Sequence, residues 1–144
     1  MSIQDKLKQF MANKTDAEKE TGRKFLEENR KRATVTELEG GLQYEIITTG
    51  TGRQPRISDK VKAHYKGALL NGKEFDNSFK RGQPFTAPLT ALIKGWQIAI
   101  PLMQEGSKWR LWIPSELAYG DRGAGADIPG GATLMFEVEL LEIL

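Results

Sequence analysis

All six prolines of this 144-residue chain lie beyond Gly40-Gly41, and only one of its fifteen glycines, Gly22, lies before that point. A proline inside a helix removes a hydrogen bond and clashes with the preceding turn, and glycine there weakens the helix. A long opening without proline can therefore be helical, whereas the rest must be built from shorter elements punctuated by turns. The expected organisation is a helical extension over 1–39 followed by a strand-rich domain over 40–144.

Within the extension, Ser2 and Asp5 form a capping-box pattern, and Ile3, Leu7, Phe10 and Met11 then recur at helical spacing on one stripe. Asn13 is a stop signal, and Thr15-Asp16-Ala17-Glu18 is a second capping box. Two helices are thus predicted, the second running to about Arg32. The stripe needs a partner, and two arrangements satisfy it: folding back on the C-terminal domain, or pairing with the same helix of a second chain through Ile3, Leu7, Phe10 and Met11. Arg23, Lys24, Arg30, Lys31 and Arg32 are interleaved with Glu20, Glu27 and Glu28, which reads as a solvated helix face.

Beyond Gly41, apolar residues alternate at Leu42, Tyr44 and Ile46, at Val61, Ala63 and Tyr65, at Trp109, Leu111 and Ile113, and from Leu134 to Leu140. Asn71-Gly72 is a hairpin signal with Glu74-Phe75-Asp76 as the return strand. Only Leu92 to Ile100 looks helical, with Pro101 limiting it. These elements predict an α+β domain, a curved antiparallel sheet wrapped on a short helix. Trp109 and Trp112 fall on opposite faces of their strand, so Trp112 is a candidate to rest against the N-terminal helix.

Composition excludes several chemistries. With no cysteine there are no disulfides, thiol nucleophiles or thiolate metal sites, and a single histidine, His64, makes a histidine metal centre untenable. No Gly-x-Ser-x-Gly elbow is present, and Gly120, Gly123 and Gly125 match neither phosphate-binding glycine pattern. A net charge of +2 gives no reason to expect nucleic acid, and no apolar run approaches a membrane span. The charged residues Asp5, Lys6 and Lys8 interrupt the opening, so it is not a signal peptide. The expected location is the cytoplasm, or the periplasm if a signal has been removed.

Several short runs, in order, resemble one family. Val61-Lys62-Ala63-His64-Tyr65, Gly72 to Ser78, Arg81-Gly82-Gln83-Pro84-Phe85, Ile93-Lys94-Gly95-Trp96, Leu117-Ala118-Tyr119-Gly120, Ile128-Pro129 and Ala132 to Leu140 are similar to the motifs of FKBP-type peptidyl-prolyl cis-trans isomerases. Phe25 to Asn29 leading into Gly41-Leu42-Gln43-Tyr44 resembles the bacterial Mip-like subgroup, in which an N-terminal helical region dimerises the protein. The resemblance implies an isomerase of Xaa-Pro bonds acting on unfolded or flexible polypeptides. It also implies binding of macrolides such as tacrolimus and rapamycin. By motif it assigns Tyr65, Phe75, Asp76, Trp96, Tyr119 and Phe136 to catalysis, and Phe85, Leu92, Ile93 and Ile128 to substrate binding. Trp96 would form the pocket floor, while the Tyr119 hydroxyl and the Ile128 amide would hold ligand carbonyls. Asn77 for the usual serine, Asp127 before Ile128 and Gly130-Gly131 after Pro129 depart from the pattern.

The chemistry fits those residue types. Rotation about Xaa-Pro faces about 18–20 kcal/mol of amide resonance, and no covalent bond breaks, so neither nucleophile, metal nor cofactor is called for. A dry aromatic slot disfavours the polar planar amide relative to the less polar twisted one.

Overall fold

A computed structural model describes residues 2–144. The opening forms one helix, α1 (Ile3–Asn29), rather than two. The Ser2 cap is made as expected, with the Ser2 hydroxyl accepting from the Asp5 N–H at 3.0 Å. The second start at Thr15 is not used. Interrupting a helix exposes four carbonyls and four N–H groups, whereas continuing through Asn13 and Lys14 costs only their modest propensities. At 27 residues α1 is about 40 Å long.

The chain then makes β1 (Val35–Glu37), β2 (Gln43–Thr48), β3 (Lys60–Leu69), β4 (Glu74–Asn77), the single turn α2 (Ser78–Arg81), β5 (Phe85–Pro88), α3 (Lys94–Ala99), β6 (Lys108–Ile113) and β7 (Leu134–Ile143). All strand pairs are antiparallel, in the order β1-β2-β6-β7-β3-β4, with β5 also on β3. The sheet therefore begins at Val35, ahead of the boundary expected at residue 40. The helical run starts at Lys94 because Leu92 and Ile93 are extended, and Pro101 sits in a 3-10 turn that continues it.

One face of the sheet closes on α3, with Val61, Ala63, Leu111, Ile113, Leu134, Phe136, Val138 and Leu140 buried against Trp96, Ala99 and Ile100. Gly95 allows this closeness, since a Cβ there would stand 2.6 Å from Ile113 Cγ2. The other face carries charge, with Arg110 joined to Glu45 (3.3 Å) and Glu137 (2.8 Å). The C-terminal half of α1 covers one end of that outer face. Trp112 is buried beneath Phe25 (6.5 Å between ring centres) and the Arg32 guanidinium (5.7 Å). Asn29 Nδ2 donates to Gln43 Oε1 and Gln43 Nε2 to the Leu26 carbonyl, both at 2.9 Å, so this buried polar contact is satisfied.

The N-terminal half of α1 does not fold back. Ile3, Leu7, Phe10 and Met11 are 86%, 59%, 63% and 54% exposed. No described helix is long and apolar enough to cross a membrane.

Candidate active site

The sheet and α3 enclose a cavity of about 550 Å³ whose lining includes all ten residues picked out from the sequence: Tyr65, Phe75, Asp76, Phe85, Leu92, Ile93, Trp96, Tyr119, Ile128 and Phe136. Ala91, Ala124 and Asp127 complete it. Trp96 lies at its base, in the first turn of α3, and is buried. Its ring packs edge-on to Tyr65 (5.2 Å) and Phe136 (5.1 Å) and tilted against Phe85 (5.4 Å). Phe75 meets Phe136 edge-on at 5.7 Å. These are favoured aromatic geometries, and they brace one another.

Register explains the convergence. Tyr65 and Gly67 alternate onto the inner face of β3, opposite Val138 and Phe136 of β7. Gly67 is small for a reason: a Cβ there would lie 2.6 Å from Phe75 and 2.7 Å from Phe136. Gly67→Val is expected to push both rings into the cavity, destabilising the fold by about 1–3 kcal/mol and weakening pocket ligands, as thermal denaturation and ligand titration would measure.

Ser78 pins the neighbouring backbone. Its buried hydroxyl accepts from the Tyr65 N–H (2.7 Å) in the gap between β4 and β5, and lies 2.8 Å from His64 Nδ1. His64 points to the outer face, stacked on Phe79 at 4.7 Å, which agrees with a structural role. Asn77 caps α2, its side chain accepting from the Lys80 N–H at 3.1 Å. An amide thus supplies a helix cap where a serine was expected.

That turn delivers Arg81, which the motif comparison left without a role. The Tyr65 hydroxyl donates to Asp76 Oδ2, and Arg81 donates to Asp76 Oδ1 while its guanidinium lies 5.9 Å from the Tyr65 ring centre. Burial works to raise the Asp76 carboxyl, but hydrogen bonds from Tyr65 and Arg81, the Arg81 charge and the Asn77 N–H together hold it below the ordinary carboxylate range. Burial, then the bond to Asp76, pushes the Tyr65 hydroxyl up; burial, then the Asp76 charge, raises that of Tyr119. Asp76 is therefore ionised and both phenols neutral at physiological pH. Its lowered folded value means that Asp76 adds stability above its unfolded value, and this is lost as pH falls through the folded one.

The backbone donors differ from expectation. The Ile128 N–H is already used, donating to the Ala124 carbonyl at 3.2 Å to close the loop hairpin. The Ile93 N–H, at the cap of α3, has no protein acceptor among the described residues, and neither do the Tyr119 hydroxyl and the Trp96 indole N–H. The Ile93 N–H and the Tyr119 hydroxyl are thus free beside an apolar cavity, while the unpartnered Trp96 indole nitrogen is buried. Asp127 is exposed at the rim and in no ion pair among the described residues. The motif resemblance pointed to the Ile128 N–H; which N–H is free depends on the turn that leaves it without a partner, and side-chain identity does not set that.

Comparison with known proteins gives the family and the fold. Residues 51–141 match FKBP-type peptidyl-prolyl cis-trans isomerase, and residues 1–46 match the domain amino terminal to FKBP-type peptidyl-prolyl isomerase. The chain is 54% identical over 123 residues to the FKBP-type 22 kDa peptidyl-prolyl cis-trans isomerase of Escherichia coli K12, covering 85% of this chain and 60% of that one. It is 43% identical over 124 residues to the peptidyl-prolyl cis-trans isomerase Mip of Coxiella burnetii, covering 86% and 54%. It thus spans a little over half the length of these two relatives. A crystal structure of a peptidyl-prolyl cis-trans isomerase from Pseudomonas syringae pv. tomato superposes with a TM-score of 0.83 at 39% identity, covering 90% of this chain and 95% of that one. FkpA from Escherichia coli gives a TM-score of 0.88 at 36% identity, covering 99% and 73%.

Proposed function

The chain belongs to the FKBP-type peptidyl-prolyl cis-trans isomerase family, and on that premise we propose that its aromatic cavity accelerates rotation about Xaa-Pro bonds in unfolded or flexible polypeptides. One observation carries the reading: residues scattered from position 65 to 136 converge on a single apolar cavity floored by an indole, with the Ile93 N–H and the Tyr119 hydroxyl unused beside it. The proline ring lies on Trp96 between Tyr65, Phe85 and Phe136. The Ile93 N–H and the Tyr119 hydroxyl hold flanking carbonyls while the amide twists. Phe75, Leu92 and Ile128 exclude water. A twisted amide is less polar than a planar one, so the dry walls favour it, and no proton transfer is needed.

Asp76 orients Tyr65 through its carboxylate and faces the rotating carbonyl with a fixed, Arg81-balanced charge. Because Asp76 titrates below the ordinary acid range and Tyr119 above the ordinary phenol range, kcat/KM is expected to be flat from about pH 5 to pH 9. It falls only in stronger acid, as Asp76 gains its proton, or in strong alkali. A pH profile on a short peptide checks this.

Binding is tested by titrating a Xaa-Pro tetrapeptide and following the NMR signals of the Trp96 indole N–H and the Ile93 amide. Both are expected to move with one common Kd. Shifts confined to residues outside the cavity contradict the reading. Macrolides such as tacrolimus and rapamycin are proposed to occupy the same cavity.

A second part of the proposal concerns α1. Its exposed stripe pairs with that of a second copy, and the resulting cleft holds client chains near two pockets. Leu7→Glu with Phe10→Glu is expected to convert a dimer to a monomer by sedimentation and to abolish suppression of client aggregation, while turnover of a short peptide stays unchanged. An unaltered sedimentation coefficient sinks the pairing.

A further inference from the structure

Thr15, Lys19 and Gly22 lie at helical spacing on one stripe of α1, and all three reach the loop that carries Tyr119 and Ile128. Lys19 Nζ is 2.7 Å from Asp121 Oδ1. A Cβ at Gly130 would lie 3.1 Å from Thr15 Oγ1, and one at Gly131 would lie 2.6 Å from the Thr15 carbonyl and 3.0 Å from Lys19 Cγ. Gly131 is also at φ +80°, which favours glycine on its own account. At Gly22 a Cβ would stand 2.1 Å from Thr133 Oγ1. The unusual Gly130-Gly131 pair is therefore where the helix seats itself on the returning leg of the loop.

The contacted residues adjoin the pocket. Gly131 N–H donates to the Gly120 carbonyl at 2.9 Å, and Gly120 N–H to the Ser115 carbonyl at 2.8 Å, closing the loop's base. Gly120 follows Tyr119, and Asp121 follows Gly120. Pro129 alone separates Gly130 from Ile128. Only one or two residues lie between each α1 contact and a side chain lining the cavity.

We propose that Thr15 and Lys19 are positioning residues of the pocket: α1 clamps the loop from behind, and this holds the Tyr119 hydroxyl and the Ile128 side chain over the Trp96 floor. The inference rests on the isomerase reading for its effect on turnover. It also extends the role of α1, since the helix that offers a free stripe at one end forms the rear support of the pocket loop near its middle.

Lys19→Glu, which sets two like charges against each other at an exposed site, tests the clamp together with the charge-exchanged pair Lys19→Glu/Asp121→Lys. Lys19→Glu is expected to raise KM for a short Xaa-Pro peptide about two- to fivefold and to speed amide hydrogen exchange across residues 119–132, with the thermal midpoint nearly unchanged. The paired exchange restores both, and high salt reduces the difference. Wild-type KM and wild-type loop exchange in Lys19→Glu overturn the proposal, as does failure of the paired exchange to restore them. Wild-type chain without turnover overturns the isomerase reading instead, and the exchange rates still decide whether α1 holds the loop.

Discussion

Trp96→Ala is expected to lower kcat/KM on Xaa-Pro peptides by about 10- to 100-fold. Three rings lean on this indole, at 5.1, 5.2 and 5.4 Å. Each such pair is worth about 0.5–1.5 kcal/mol beyond the area it buries, and every 1.4 kcal/mol lost from the transition state is a factor of ten. The substitution removes the surface on which the proline ring rests and loosens the walls as well. Because Trp96 is also core, stability falls by about 3–5 kcal/mol, so kinetics are measured far below the thermal midpoint. Trp96→Leu separates the two effects. Leucine refills part of the volume, so most of the stability returns while the flat floor does not. Activity that recovers in step with stability would make Trp96 a packing residue and nothing more.

Asp76→Ala is expected to reduce kcat/KM about tenfold with little loss of fold. Asp76 sits at the rim, its side chain about one-third exposed, and it accepts from both Tyr65 and Arg81. Removing it leaves the Tyr65 hydroxyl without a partner, at a cost of about 1–3 kcal/mol if fully buried and less here. It also leaves Arg81 as an unbalanced cation over the Tyr65 ring. Asp76→Asn keeps an acceptor for Tyr65 but not the charge, and is expected to retain intermediate activity. Equal rates for the alanine and asparagine variants would mean that the charge, not the positioning of Tyr65, is what matters. Unchanged activity in both would remove Asp76 from the account.

The pocket was legible because its side chains occupy strand positions whose facing is set by alternation, at Tyr65 on β3 and Phe136 on β7, and because the short motifs around them occur in one order. The fold class was legible from the same alternation and from where proline and glycine begin. Other features resisted for physical reasons. The capping box at Thr15 is a true local preference, overridden by the cost of interrupting α1 and by the seat Thr15 takes against Gly130 and Gly131. Val35–Glu37 and Phe85–Pro88 are short edge strands defined by their partners more than by their composition. Arg81 stood in a recognised motif, but only the turn of α2 capped by Asn77 brings it to Asp76. That the Ile128 amide is bonded and the Ile93 amide is not lies in backbone hydrogen bonding, which side-chain identity does not encode.

The most direct test of the account is the cis-to-trans rate of a short Xaa-Pro peptide, measured with the chain alone and with tacrolimus. The cavity floored by Trp96 predicts acceleration that saturating tacrolimus abolishes. No acceleration, or acceleration that the drug leaves untouched, would contradict the placing of catalysis in that cavity.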